Sequence, residues 1–291
     1  MQGAVDECFG KDVHMKSLFD SIVDEYAAKT DVERLNAVHE VMQQFALAGL
    51  ARGGFFDKAA FYGGTALHLF YDLPRFSEDL DFSLLGEDSA FRFEDYFDAI
   101  RDEFSLAGKD VSIEIKHKAG GLTAIESAFL KESSAVFDIG FTTQKRVKVK
   151  LEIDVKPPLA FATEEKLLVQ PTSCWVKAFS LDCLLAGKAN AALFRAWRNR
   201  VKGRDWFDLE WYVRKGVAIN LRHLSERGRV SSPDTDLSSP DAAKAAFLRR
   251  IDQIDFVAAR DDVRPFVKDA SVLDIWSKEY FSALVDKMRF V

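Results

Sequence analysis

The sequence predicts an α/β (α+β) chain: a small mixed sheet flanked by a helical N-terminal segment and a helical C-terminal domain. Three observations predict it. Apolar residues recur at helical spacing from Val32 through Leu35, Val38, Val41, Met42 and Phe45. In the middle of the chain, Asp79–Leu84, Val111–Ile115 and residues 147–155 alternate polar with apolar, the period of half-buried strands. From about residue 172 the pattern reads as helical. The expected divisions are residues 1–54, 55–160 and 161–291.

The elements follow in order. Residues 17–52 read as helical, with Thr30 and Glu33 forming a T-x-x-E capping box and Gly53-Gly54 as the stop. A helix is expected directly after Gly63-Gly64, over residues 63–70. The Leu73-Pro74 step favours extended backbone before the proline. Strand 79–84 comes next, then a helix over 93–107, strand 111–115, a turn at His117–Gly121 and a strand over 133–142. In residues 147–155, Val147, Val149, Leu151, Ile153 and Val155 share one face, and Lys148, Lys150, Glu152 and Asp154 the other. Pro157-Pro158 ends that strand and marks a domain boundary. Helices are expected at 175–197 and 204–215, the second ending at Gly216. Glu226–Pro240 reads as a loop, Ser239-Pro240 as a cap with a proline at the first helical position, and Ser271/Asp274 as the start of the last helix.

With 291 residues, 48% of them hydrophobic, the chain has material for a substantial core. A net charge of −6 argues against a globally basic nucleic-acid binder but allows a local basic patch. Cys8, Cys174 and Cys183 make no CxxC pair and no zinc spacing, the pattern of reduced thiols in a cytosol. The N-terminus MQGAVDECFGKDV lacks a basic region followed by an apolar core, so no signal peptide is expected. No 18-residue apolar run occurs, so no membrane span is expected. The 25 phenylalanines read as core packing. The five histidines make no metal constellation, and His68 reads as packing or polar filler. Walker A, G-x-S-x-G and HExxH patterns do not occur.

The richest stretch is Phe61–Phe82, FYGGTALHLFYDLPRFSEDLDF. Gly63-Gly64-Thr65 lets backbone approach a bulky anion with no side chain in the way. Asp79 and Asp81, at i and i+2 of a strand, point to one face about 6.5–7 Å apart. Such a pair can hold Mg²⁺, which favours oxygen ligands together with substrate phosphates. Taken alone, Gly-Gly is an ordinary turn and D-x-D an ordinary solvated strand face. In this order, with thirteen residues between them, they point to chemistry on a nucleoside triphosphate.

The combination resembles the polymerase-beta-like nucleotidyltransferase superfamily: Gly-Gly, a spacer, D-apolar-D-apolar, and a third carboxylate on a later strand, here Asp154 in Leu151-Glu152-Ile153-Asp154-Val155. Within it, GGTAL, Arg75-Phe76-Ser77-Glu78-Asp79-Leu80-Asp81-Phe82 and the LEID strand look like the AbiEii/AbiGii-type nucleotidyltransferase toxins. Gly187-Lys188-Ala189-Asn190 and Arg204-Asp205-Trp206-Phe207-Asp208-Leu209 agree with that family's later elements. The resemblance covers residues 60–215. It implies transfer of a nucleoside monophosphate from an NTP to an acceptor hydroxyl, with Mg²⁺ (or Mn²⁺). Asp79, Asp81 and Asp154 would bind metal, Asp154 orienting or deprotonating the acceptor. Gly63, Gly64, Thr65 and Ser77 would hold phosphates, Lys188 would neutralise them, and Asp205 would be a catalytic base or orienting group. It also implies a cognate antitoxin and tRNA or another RNA as acceptor, in the cytoplasm.

Simpler roles stand beside these. Asp154 can pair with Lys148 or Lys150, Lys188 can be a solvated helix lysine, Asp205 and Asp208 can be a helix N-terminal charge and a surface acid, and Arg75 can pair with Glu78 or an aspartate. Arg195, Arg198, Arg200, Lys202 and Arg204, with Trp197 and Trp206, form either a solvated helix face or a phosphate-binding edge. Two other functions use the same residues: a small-molecule, antibiotic-type nucleotidyltransferase, and a non-catalytic NTP-binding module.

Overall fold

The computed structural model describes residues 16–115, 134–142, 147–195 and 201–291. The turn expected at 117–121, together with Cys8, Trp197, Arg198 and Arg200, lies outside the described residues.

The N-terminal helical stretch is two helices, α1 (Leu18–Glu25) and α2 (Asp31–Arg52). Ala27 takes a left-handed conformation between them (φ 48°). The Thr30 hydroxyl accepts the Glu33 N–H while the Glu33 carboxylate accepts the Thr30 N–H, so the capping box forms as expected. Residues Val41–Leu50 of α2 are buried on every side, because the helix packs against the sheet and against α4 (Phe97–Leu106).

The sheet has seven strands in the order β3-β4-β5-β2-β1-β7-β6. Its centre is β1 (Ala59–Tyr62), antiparallel to β2 (Asp79–Leu84), which runs parallel to β5 (Lys148–Asp154). On one side β4 (Ser134–Phe141) and β3 (Val111–Ile115) continue antiparallel. On the other, β7 (Cys174–Phe179) pairs parallel with β1, and β6 (Thr163–Leu168) antiparallel with β7. Leu80, Phe82, Val149, Leu151 and Ile153 are fully buried. The Phe82 ring lies 5.0 Å from that of Phe55 and 5.3 Å from that of Phe61. Burial of each such ring stabilises the fold by roughly 1.5–3 kcal/mol.

Three expectations change. Residues 174–179 form a strand, and the helix expected from 175 begins only at Leu181. Val176 and Ala178 are fully buried while Lys177 is not, a period of two within an apolar run too short to separate strand from helix by pattern alone. The sheet therefore runs on past Pro157-Pro158 and residue 160 to Phe179. The stretch 226–240 is not all loop: a helix from Leu221 reaches Ser231, with Asn220 capping its start. The last helix begins at Ser277, whose hydroxyl accepts the Tyr280 N–H, while Ser271 sits in a short 3-10 turn capped by Asp269.

Helix α3 (Gly63–Tyr71) packs on β1 and β2 and touches α5 (Leu181–Phe194), which in turn packs on α6 (Gly203–Arg214) and α7 (Leu221–Ser231). Beyond them α8 (Pro240–Ile251), α9 (Phe256–Val263) and α10 (Lys278–Lys287) extend the same apolar core. There Trp206, Phe256 and Phe281 meet at ring distances of 4.7–5.6 Å. Among the described residues no helix is long and apolar enough to cross a membrane.

Candidate functional site

The turn from β1 into α3 is built for close approach. Gly63 has φ +86°, and a Cβ there would lie 2.2 Å from Asp81 Oδ2, so only glycine leaves room for that carboxylate. A Cβ on Gly64 would lie 2.8 Å from both Arg75 Nη2 and Ser77 Oγ. No side chain caps α3, which leaves its first N–H groups available to an anion. Thr65 differs from expectation. It is fully buried and its hydroxyl donates to the Asp79 carbonyl, so it ties α3 to β2 rather than facing a phosphate. Ser77 is buried over Gly64, and its carbonyl accepts from Gln43 Nε2 at 2.9 Å.

Asp79 and Asp81 share one face of β2, as their spacing requires. The parallel register sets Lys150 opposite Asp79, Glu152 opposite Asp81 and Asp154 opposite Ser83. The third carboxylate beside the pair is thus Glu152. Asp154 stands on the same face but one pleat further along, where Arg227 offsets part of the burial that raises its carboxyl. Lys150 ion-pairs with Glu152 and lies 4.0 Å from Asp79 Oδ2, and Lys148 takes Glu114, so neither lysine is Asp154's partner here. Burial, then Glu152 and Asp79, push the Asp81 carboxyl up to about 7 against the pull of Lys188 and Lys150. Burial raises Asp79 as well. These are crowded, half-desolvated oxygens that a cation would relieve. Among the described residues no three His, Cys, Asp or Glu side chains gather closely enough to hold an ion unaided. Mg²⁺ commonly takes one or two carboxylates and draws its other ligands from water and phosphates, so the pair fits it.

Behind this face lies a second charged cluster. Arg75 donates from Nε and Nη2 to the two oxygens of Asp208, both at 2.6 Å, with both side chains essentially fully buried. Lys188 Nζ is 2.7 Å from Asp208 and 3.8 Å from Asp205. Arg195 holds Asp205 at 3.0 Å. Burial alone would raise the Asp208 carboxyl, but Arg75 and Lys188 outweigh it and hold it below the ordinary value. Asp208 is therefore no surface acid. It fixes Arg75 against Gly64 and aims Lys188. Asp205 ion-pairs with Lys188 and Arg195 and reaches the site through them. Glu78 takes Arg204 at 3.2 Å.

A cleft of about 280 Å³ opens between the two clusters, with Gly63, Asp81 and Glu152 on the sheet side and Lys188, Arg195 and Arg227 on the helical side. Of the predicted residues, Gly63, Asp81 and Lys188 line it. Gly64 and Ser77 adjoin it at the helix start, Asp79 flanks Asp81, and Thr65, Asp154 and Asp205 do not line it. The sequence reading missed Glu152, Asp208 and Arg227. Glu152 carried a signal, since it shares the polar face with Asp154, but the register that selects between them is a tertiary fact. Arg227 fell in a stretch read as loop.

The fold is similar to that of MenT4, a nucleotidyltransferase toxin from Mycobacterium tuberculosis, with TM-score 0.53 and 15% identity over 92% of this chain and 87% of that one. It is also similar to JHP933 from Helicobacter pylori, with TM-score 0.42 and 20% identity over 87% of this chain and 94% of that one. At these identities the likeness is one of fold. No curated protein matches the sequence. The family model of the nucleotidyl transferase AbiEii toxin of type IV toxin–antitoxin systems matches residues 46–287, which spans the sheet, the turn at Gly63, both charged clusters and the cleft between them. The chain belongs to the AbiEii family of nucleotidyltransferase toxins.

Proposed function

We propose that this nucleotidyltransferase moves a nucleoside monophosphate from an NTP to an acceptor hydroxyl of RNA, with tRNA as the first candidate, and that a cognate antitoxin restrains it in the cytoplasm. The observation that carries the reading is the fit of Gly63 against Asp81: an uncapped helix start and a buried carboxylate share one point at the mouth of the cleft.

Asp79 and Asp81, with Glu152 beside them, would hold Mg²⁺ (or Mn²⁺). When bound, the ion supplies neutralisation of the triphosphate and of the leaving pyrophosphate. The N–H groups at Gly63 and Gly64 and the Ser77 hydroxyl hold phosphate oxygens. Lys188, aimed by Asp208, adds positive charge on the opposite wall. The Asp81 carboxyl, which burial, Glu152 and Asp79 push up to about 7, would be drawn into its ionised form by a bound ion. Asp205 keeps Lys188 and Arg195 in place. The helical wall of Lys188, Arg195 and Arg227 favours a polyanionic acceptor over a cationic drug. The sheet core in this reading runs to residue 179, and the helical body from Leu181 onward supplies the second wall.

The test is a transfer assay with each α-labelled NTP, Mg²⁺ and total bacterial tRNA, beside an Asp79→Ala/Asp81→Ala control. Label on tRNA that disappears in the control is the expected result. No label despite intact NTP binding removes RNA as acceptor. Full transfer by the double variant sinks metal-dependent catalysis at this site.

A further inference from the structure

We propose that the helical end of the cleft, between α5, α7 and the Tyr62–Phe179 ring stack, is the pocket that reads the nucleobase. This rests on the nucleotidyl-transfer reading above and deepens it.

Two polar side chains line this end with buried atoms that have no partner, Asn190 Oδ1 and Arg227 Nε, and the buried His223 ring beside them leans on the Ala160 backbone. Asn190 is 8% exposed and His223 not at all. Buried polar groups are nearly always hydrogen-bonded, and two unpaired ones beside a histidine ring around a single cavity call for a ligand that pairs them. Asn190 is already oriented, since its Nδ2 donates to Ser231 Oγ at 2.9 Å and leaves the carbonyl oxygen free. Burial and the neighbouring Arg227 push His223 down to about 4. At neutral pH it is an uncharged ring with one donor and one acceptor nitrogen.

The cavity also has room that the fold does not need. Gly187 sits in the interior of α5, where glycine is unfavourable, and a Cβ placed there would meet nothing within 4 Å. The apolar wall is aromatic: Tyr62 stacks on Phe179 at 5.2 Å and 22°. A partly apolar cavity with a few convergent donors and acceptors matches a nucleobase, whose edge carries both kinds of group. One ordered water offers no reason for the aromatic wall or for the open space over Gly187.

Isothermal titration in Mg²⁺ tests this with the α,β-methylene analogues of ATP, GTP, CTP and UTP, and with inorganic tripolyphosphate as a probe of the phosphate cradle alone. The expected wild-type result is a preference of tenfold or more for one analogue. Asn190→Ala narrows that span to under threefold. Gly187→Leu, which fills open space without touching the carboxylates, weakens every nucleotide tenfold or more. Both variants leave tripolyphosphate binding within twofold of wild type. A flat wild-type preference, or variants that weaken tripolyphosphate as much as nucleotide, overturns the base pocket and leaves the transfer reading standing. Wild-type protein that binds neither nucleotide nor tripolyphosphate overturns both.

Discussion

The two charged clusters that flank the cleft are opposites. Around Asp208 every charge is answered: Arg75 binds it in bidentate fashion and Lys188 closes a third contact. On the β2–β5 face the carboxylates are left in excess: Asp79, Asp81 and Glu152 have Lys150 on their own face and the pull of Lys188 from the facing wall. The first cluster is complete without a ligand and serves as scaffold. The second is frustrated without one, and that frustration is a binding potential. The difference shows in the carboxyls. Asp208 is held below the ordinary aspartate value and Asp81 is pushed up to about 7, although both are desolvated.

The largest effect expected from this contrast is on folding. Asp208→Ala leaves Arg75 buried and unpaired, and losing one partner of a buried ion pair costs about 3–5 kcal/mol. Urea unfolding should show that loss for Asp208→Ala, whereas Asp81→Asn in EDTA should unfold no earlier than wild type. Equal losses would erase the distinction between scaffold and site.

Next is catalysis. Glu152→Gln should lower nucleotidyl transfer by roughly 10–100-fold, the usual cost of removing a group that supports a metal ligand. Asp154→Asn should cost several-fold less, because register sets Asp154 beside Ser83. A reversed order in steady-state rates would return the third-carboxylate role to Asp154.

The contrast also sets the pH dependence of stability. Asp81 has a folded value of about 7 against an ordinary 3.8, so its contribution is complete below about pH 4 and is lost as pH rises towards 7. Asp208, lowered on folding, acts in the opposite direction: its contribution is present above the ordinary value and is lost as pH falls. In EDTA, the Tm difference between Asp81→Asn and wild type should grow from pH 4 to pH 7. Saturating Mg²⁺ should close it at the upper end by binding the folded state. A difference that stays constant with pH would show that Asp81 titrates normally.

Local spacing made much of this legible. Thr30 and Glu33 are three residues apart and form their cap in any helix that starts there. Asp79 and Asp81 share a face because strand side chains repeat every two residues. Gly63-Gly64 signalled close approach, since no other residue type fits that need so well. The strands at 163–168 and 174–179 were less legible. Thr163–Leu168 is a polar edge strand whose only claim to the sheet is its pairing with Cys174–Phe179.

The sequence by itself determined the Gly-Gly turn, the aspartate pair, the alternating strands and, through the ordered motifs, the family. Only the tertiary structure decided that Glu152 rather than Asp154 neighbours Asp81, that Thr65 bonds backbone, that Asp208 anchors Arg75 and Lys188, and that Asn190, His223 and Arg227 share a cavity. The physical reason is range. Periodicity and capping act over three or four residues, whereas Arg75 and Asp208 are 133 residues apart. A strand's register with a distant partner is chosen by the packing of both faces at once.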